Sequence, residues 1–188
     1  MKIEKLVELR LKIKESKFSN PEKLLNFSQT KRFVKIAHSL NKTVCLDEGT
    51  WDLTHAGHVQ HIRETAKHSD LVLLRLASAK YAQMFKGNGR PIEIHRDMVV
   101  SEFESVDAVW IDETAVSPHD IKSNAKILAT IDPNFLTLET EDDKFDLKLE
   151  TINYAHDKLG SRIQPIIFTL PMLNSTTAII NRILANFS

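Results

Sequence analysis

The run Thr43-Val44-Cys45-Leu46-Asp47-Glu48-Gly49-Thr50-Trp51-Asp52-Leu53-Thr54-His55-Ala56-Gly57-His58 decides the fold. Residues 43–47 read as a buried strand, 48–54 as its exit loop, and 56–67 as an amphipathic helix with Val59, Ile62 and Ala66 on one face. The helix therefore begins inside the motif. Its first backbone N–H groups have no partner within the helix and carry the positive end of the macrodipole, so this spacing predicts a phosphate site. Gly57 has no Cβ and lets a phosphate oxygen approach the backbone. His55 and His58 can donate ring N–H bonds to phosphate oxygens and stabilise charge developing there.

Outward from this run, strand signals recur at 70–77, 107–111, 134–138 and 164–169, with helical patterns at 94–104, 118–130, 144–158 and 175–186. The alternation predicts an α/β fold, a Rossmann-like doubly wound parallel sheet with its site at the carboxyl ends of the strands. Residues 1–41 read as an N-terminal helical extension and 42–188 as the main domain. Within the extension, 1–15 lean to helix, and Asn20 as cap with Pro21 at the first position starts a second helix running to about Leu40. Two extra helices with an apolar face would pack on the domain or build a dimer.

Composition sets limits. The chain has 188 residues, 42% of them hydrophobic, enough for one proper core. Lys and Arg number 25, as do Asp and Glu, so nucleic-acid binding driven by basic excess is disfavoured. Cys45 is the single cysteine, so no intrachain disulfide forms. No apolar stretch reaches membrane-span length, and no signal-type apolar run follows Met1-Lys2-Ile3-Glu4-Lys5. A cytoplasmic, membrane-free protein is expected.

Three motifs in order carry a resemblance. Gly49-Thr50-Trp51-Asp52-Leu53-Thr54-His55-Ala56-Gly57-His58 resembles the Gly-x-Phe-Asp-x-x-His-x-Gly-His signature of cytidylyltransferases, with Trp51 in place of Phe. Lys86-Gly87-Asn88-Gly89-Arg90-Pro91-Ile92, then Arg96 and Val106-Asp107-Ala108-Val109, look like the corresponding run of the heptose-phosphate nucleotidyltransferases. Ser175-Thr176-Thr177-Ala178-Ile179-Ile180 resembles the opening of their last helix. The chain is thus similar to the cytidylyltransferase-like nucleotidyltransferases of the His-x-Gly-His superfamily over roughly residues 42–188, more weakly over 112–165.

The resemblance implies transfer of the nucleotidyl group of CTP or ATP to a phosphorylated sugar or polyol, with release of pyrophosphate. It makes His55, His58, Lys86 and Arg96 the catalytic set: the histidines on the triphosphate, Lys86 over the α-phosphate, and Arg96 on the acceptor or the β/γ-phosphates. It makes Gly49, Thr50, Trp51, Asp52, Gly57, Asp142, Ser175, Thr176 and Thr177 the nucleotide-binding set. Mg²⁺ is expected as the triphosphate's counter-ion, with no caged protein metal. A nucleoside triphosphate, a small phosphorylated acceptor and a second copy of the chain are the implied partners.

Other readings of the same residues are plainer. His55 and His58 could be satisfied surface histidines, or bind a metal together with His61, although no Cys or nearby carboxylate completes such a site. Lys86 could sit in a solvated turn, Ser175 could be only a helix cap, and Arg96 an ordinary helix-surface arginine. Tyr81, Met84 and Phe85 read as core or lid packing. A class I aminoacyl-tRNA synthetase shares the motif but needs a longer chain with a Lys-Met-Ser-Lys-Ser loop. Phosphopantetheine adenylyltransferases usually carry Thr-x-Gly-His, a poorer match to His55 and His58.

Departures from the family pattern point to a second function. Ala77-Ser78-Ala79 stands where Asn-Ser-Asp is usual, Gln83 replaces a frequent lysine, and Glu141-Asp142-Asp143 lacks the glycine of the turn near the nucleoside. They fit an altered acceptor. They also fit a non-catalytic descendant that binds a nucleotide or a partner, with the N-terminal helices as docking element.

Overall fold

In the computed structural model, which describes residues 23–86, 95–114, 117, 119–171 and 175–187, strands and helices alternate along the chain. In order they are β1 (Leu24–Leu25), α1 (Phe27–Ser39), β2 (Val44–Gly49), α2 (Ala56–Thr65), β3 (Leu71–Ala77), α3 (Ala79–Lys86) and α4 (Arg96–Ser101). There follow β4 (Ala108–Asp112), α5 (Ile121–Ile131), β5 (Phe135–Glu139), α6 (Phe145–Leu159), β6 (Gln164–Phe168) and α7 (Thr176–Phe187). Every pairing is parallel, and the strand order is β1-β4-β3-β2-β5-β6. The chain winds from β2 through β3 to β4, then returns past β2 to β5 and β6. The point of reversal lies between β2 and β5, where a doubly wound sheet opens its ligand crevice.

Both faces of the sheet are covered, which is why the central strands read as near-continuous apolar runs. Val44, Leu46, Leu73, Trp110, Leu136 and Leu138 face one way, against Val34 and Ala37 of α1, Leu128 and Ile131 of α5 and Ile152 of α6. Val72, Leu74, Leu76 and Val109 face the other, against Ile62 of α2 and Val100 of α4. This alternation places each charged residue near a strand's carboxyl end on a known face. Asp47 falls on the α2 side, and Glu48, Arg75 and Asp112 on the α1/α5/α6 side.

The amino-terminal part differs from expectation. A helix starts at Phe27 because Asn26 and Gln29 form a reciprocal capping box, with both N–H···O contacts at 2.9 Å. Ahead of it Leu24 and Leu25 pair with Val109 and Trp110 as an edge strand. Lys23 Nζ is buried and donates to the carbonyls of Ser101 and Phe103 at 2.9 and 3.1 Å. From Leu24 on, the segment expected as a helical extension is thus part of the same sheet and core. The helix expected over 1–15, the Asn20-Pro21 start and the Gly-rich residues 87–92 lie outside the described residues. Among those described, no helix is long and apolar enough to cross a membrane.

Candidate active site

The His-x-Gly-His run caps its own helix. His55 is the N-cap of α2, and its Nδ1 accepts the Gly57 N–H at 3.1 Å; His58 Nδ1 in turn accepts the His55 N–H at 3.3 Å. The two rings stack with centroids 4.0 Å apart, and Trp51 lies against His58 at 5.1 Å. A ring whose Nδ1 accepts a hydrogen bond must carry its proton on Nε2 when neutral. The cap therefore sets both tautomers. It leaves two Nε2–H donors side by side, while the Gly57 N–H that the sequence offered to phosphate is taken by His55.

The loop feeding this cap is bent and strapped. Trp51 and Leu53 both have left-handed backbone angles, φ 58° and 38°, a conformation costly without glycine and held only where surroundings enforce it. Trp51 is buried against Gly49, where any Cβ would lie 2.9 Å from its indole nitrogen. Arg96 Nε donates to the Thr50 carbonyl at 2.7 Å, and its guanidinium also donates to the Ala77 carbonyl. The Thr176 hydroxyl donates to the Asp52 carbonyl at 3.2 Å, tying α7 to the loop.

One turn beyond His58, His61 lies between two carboxylates. Its Nε2 is 3.0 Å from Asp47 and its Nδ1 3.3 Å from Glu139, while Phe168 meets the ring edge-on at 5.0 Å. Both nitrogens face acceptors, so the ring is an imidazolium. Burial alone would lower its pKa, but Asp47 and Glu139 outweigh burial and hold it up to about 10. His58 goes the other way. Burial, with His55 and His61 nearby, depresses it to about 4, so it is neutral at physiological pH.

The two rings bound stability from opposite sides. His61, with a folded pKa above the usual 6.5, contributes stability that is full below that value and lost as pH rises through about 10. His58, depressed below 6.5, contributes stability that is full above that value and lost as pH falls through about 4. A tenfold change in proton affinity corresponds to roughly 1.4 kcal/mol, so each limb is worth a few kcal/mol. We expect maximal stability near neutrality. In His61→Gln, stability at pH 7 falls and the alkaline limb flattens in urea titrations from about pH 5 to 10; an unaltered alkaline limb would remove the clamp from the account.

On the opposite face, a charged ladder crosses three strand ends. Arg75 of β3 donates through Nε to Asp112 of β4 at 2.9 Å, through Nη1 to Glu48 of β2, and through Nη2 to Asn124 of α5 at 3.0 Å. Its guanidinium lies over the Trp110 ring, 5.5 Å from the centroid. Nearby, Lys148 is held by Asp142 at 2.7 Å. Burial pushes the Tyr81 hydroxyl, beside this ladder, up to about 12. Sequence reasoning did not single out Glu48, Arg75, Asp112, Asn124 or Lys148. The available signal was a charged residue near the carboxyl end of each apolar strand.

These elements line one cleft along the carboxyl edge, in two adjoining halves. The first is formed by Thr50, Trp51, Asp52, His55, Gly57, His58, His61 and Glu139, with Ser175, Thr176 and Thr177 closing it from α7. The second is formed by Glu48, Gly49, Arg75, Tyr81, Asp112, Asn124, Lys144 and Lys148. Thr50, Lys86, Asp142 and Asp143 border both. Of the residues singled out from sequence, all but Arg96 line this cleft. Arg96 is a correction: only 2% exposed, it straps the exits of β2 and β3 through backbone carbonyls and is absent from both linings. Asp142 also differs from expectation, since its carboxylate is engaged by Lys148 Nζ and the Lys144 N–H.

A doubly wound parallel sheet with this histidine-capped helix at its reversal point is a Rossmann-like α/β fold, and the chain is similar to the cytidylyltransferase-like nucleotidyltransferases. Among proteins of known name it is similar to the bifunctional protein HldE of Shewanella baltica (strain OS155 / ATCC BAA-1091), 30% identical over 147 residues that cover 76% of this chain and 28% of that protein. HldE of Photobacterium profundum is 31% identical over 111 residues, 58% of this chain and 22% of the relative. The chain spans less than a third of the length of these relatives. No family model matches it. Two solved structures share the fold. A lipopolysaccharide core biosynthesis protein from Thermoplasma volcanium GSS1 matches with TM-score 0.54 and 21% identity, over 68% of this chain and 96% of that one. Pantoate-beta-alanine ligase from Francisella tularensis, complexed with beta-gamma ATP and beta-alanine, matches with TM-score 0.53 and 15% identity, over 82% and 68%.

Proposed function

We propose that the protein is a nucleotidyltransferase joining the nucleotidyl group of CTP or ATP to a phosphorylated sugar or polyol. The observation that carries this reading is the pair of Nε2–H donors set by the cap, at the sheet's reversal point, in a cleft shared with Lys86 and Ser175 to Thr177. On this reading a phosphate oxygen of the acceptor attacks the α-phosphorus. The bond from that phosphorus to the bridging oxygen breaks, and pyrophosphate leaves with the electron pair. No covalent enzyme intermediate is needed, because placement and charge neutralisation supply most of the barrier reduction. His55 and His58 donate to the triphosphate, Lys86 covers the α-phosphate, and the hydroxyls of Ser175 and Thr177 hold the other end. Arg96 acts through the loop it straps.

Asp142 is engaged by Lys148 Nζ and by the Lys144 N–H. Mg²⁺ enters this reading as a counter-ion carried by the triphosphate, with Asp143 at the cleft edge, where it would neutralise phosphate charge. A phosphorylated sugar is the acceptor that the resemblance to the heptose-phosphate nucleotidyltransferases implies. A cytoplasmic setting and a homodimer belong to the same reading, the latter checked by mass in solution.

Pyrophosphate release tests the proposal. Wild-type protein with Mg²⁺ is offered each of CTP, ATP, GTP and UTP against a panel of sugar and polyol phosphates. Release with one nucleotide and one acceptor class is expected. No release, together with no thermal stabilisation by any triphosphate, would end it and favour the non-catalytic alternative.

A further inference from the structure

We propose that Lys144, which the family motifs do not include, joins Lys86 in a two-ammonium clamp for the phosphate where the two halves of the cleft meet. The inference rests on the nucleotidyltransfer reading and deepens it.

The placement comes from two elements. Lys86 ends α3 and borders both halves; Lys144 is the N-cap residue of α6 and lines the Arg75 half. The turn carrying Lys144 is firmly set. Asp142 accepts the Lys144 N–H at 3.0 Å through one oxygen and Lys148 Nζ at 2.7 Å through the other, and the Phe145 N–H returns to the Asp142 carbonyl at 2.9 Å. Asp142 and Lys148 thus act as scaffold for Lys144. The Lys144 side chain is half-buried, and its pKa is lowered first by burial and next by Lys86, against the opposite pull of Asp143 and Asp142, so the two ammonium groups feel each other. Holding two like charges within reach costs energy that a bound dianion would offset.

Chemistry selects the ligand. Two ammonium groups lining the Arg75 half ask for an anion with several acceptor oxygens, and Lys86 carries that lining over to the half with the histidine-capped helix. A phosphoryl group passing from donor to acceptor is that anion. The clamp would also offset the departure at Gln83, which is exposed and absent from both linings. The second ammonium comes from another element.

The test compares wild type, Lys144→Gln and Lys144→Arg, each first checked for an unchanged melting temperature without ligand. Calorimetry with CTP and ATP in the presence of Mg²⁺ reads binding, and pyrophosphate release reads turnover. A charge-assisted contact to phosphate predicts that Lys144→Gln lowers kcat/KM by about 10- to 100-fold, with weaker triphosphate binding, and that Lys144→Arg recovers part of both. Wild-type binding and turnover retained in Lys144→Gln would overturn the clamp and leave the nucleotidyltransfer reading standing. No binding of either triphosphate by wild type would overturn both.

Discussion

On the proposed nucleotidyltransfer, His58→Ala is expected to lower turnover by roughly 10²- to 10³-fold while the protein stays folded. The ring is neutral at physiological pH, because burial and its imidazole neighbours depress its pKa to about 4. Its Nδ1 is occupied by the His55 N–H, so Nε2–H is the group facing the cleft. A fixed donor of this kind forms its best bond when charge builds on the leaving phosphate oxygens, and water replaces it poorly. The substitution also removes half of a cap, which costs on the order of 1 kcal/mol, well below the stability of an ordinary domain. Pyrophosphate release and a urea titration, run together, separate the two effects. Full turnover in a folded His58→Ala protein would take this residue out of the mechanism.

Arg75→Ala is expected to be the most damaging single change to stability, by about 3–5 kcal/mol. The guanidinium is nearly fully buried and serves Asp112, Glu48 and Asn124 together. Its loss leaves the Asp112 carboxylate, with 1% of its side chain exposed, without its counter-charge and with Thr114 as donor to Oδ1, and leaves Glu48 to find what water it can. The penalty comes from an uncompensated buried charge rather than from the strength of the bonds removed. Adding Glu48→Gln and Asp112→Asn to the same protein should return part of the loss, since no charge is then left alone. The readout is the urea midpoint at constant slope. A loss below about 1 kcal/mol in the single variant would mean that the ladder is solvated in solution.

Most of the sheet could be read from the chain, since the apolar runs at 43–47, 70–77, 107–111, 134–138 and 164–169 lie within a residue or two of five strands. β1 escaped because two leucines are too short to show a period. α1 starts at the capping box of Asn26 and Gln29 because Leu24 and Leu25 before it are taken up by the sheet, a pairing with Val109 and Trp110 that no local signal announces. α3 shows in the sequence only as packing residues, although Ser78 caps it by accepting the Tyr81 N–H at 3.2 Å.

The candidate site divides along a physical line. Sequence by itself determined the alternating α/β order, the helix start at His55 to His58 and the residues that gather there, because these depend on local period, capping chemistry and motif spacing. Only the tertiary structure decided what each side chain faces. It turned Arg96 inward onto two backbone carbonyls, since that side chain lies where the exits of β2 and β3 need a buried donor. It made His61 a cation by closing Asp47 and Glu139 around it. It joined Glu48, Arg75 and Asp112 across β2, β3 and β4. Partners drawn from separate strands and helices are chosen by sheet register and burial, and a charge that looks solvated in a sequence becomes a buried one only when those elements meet.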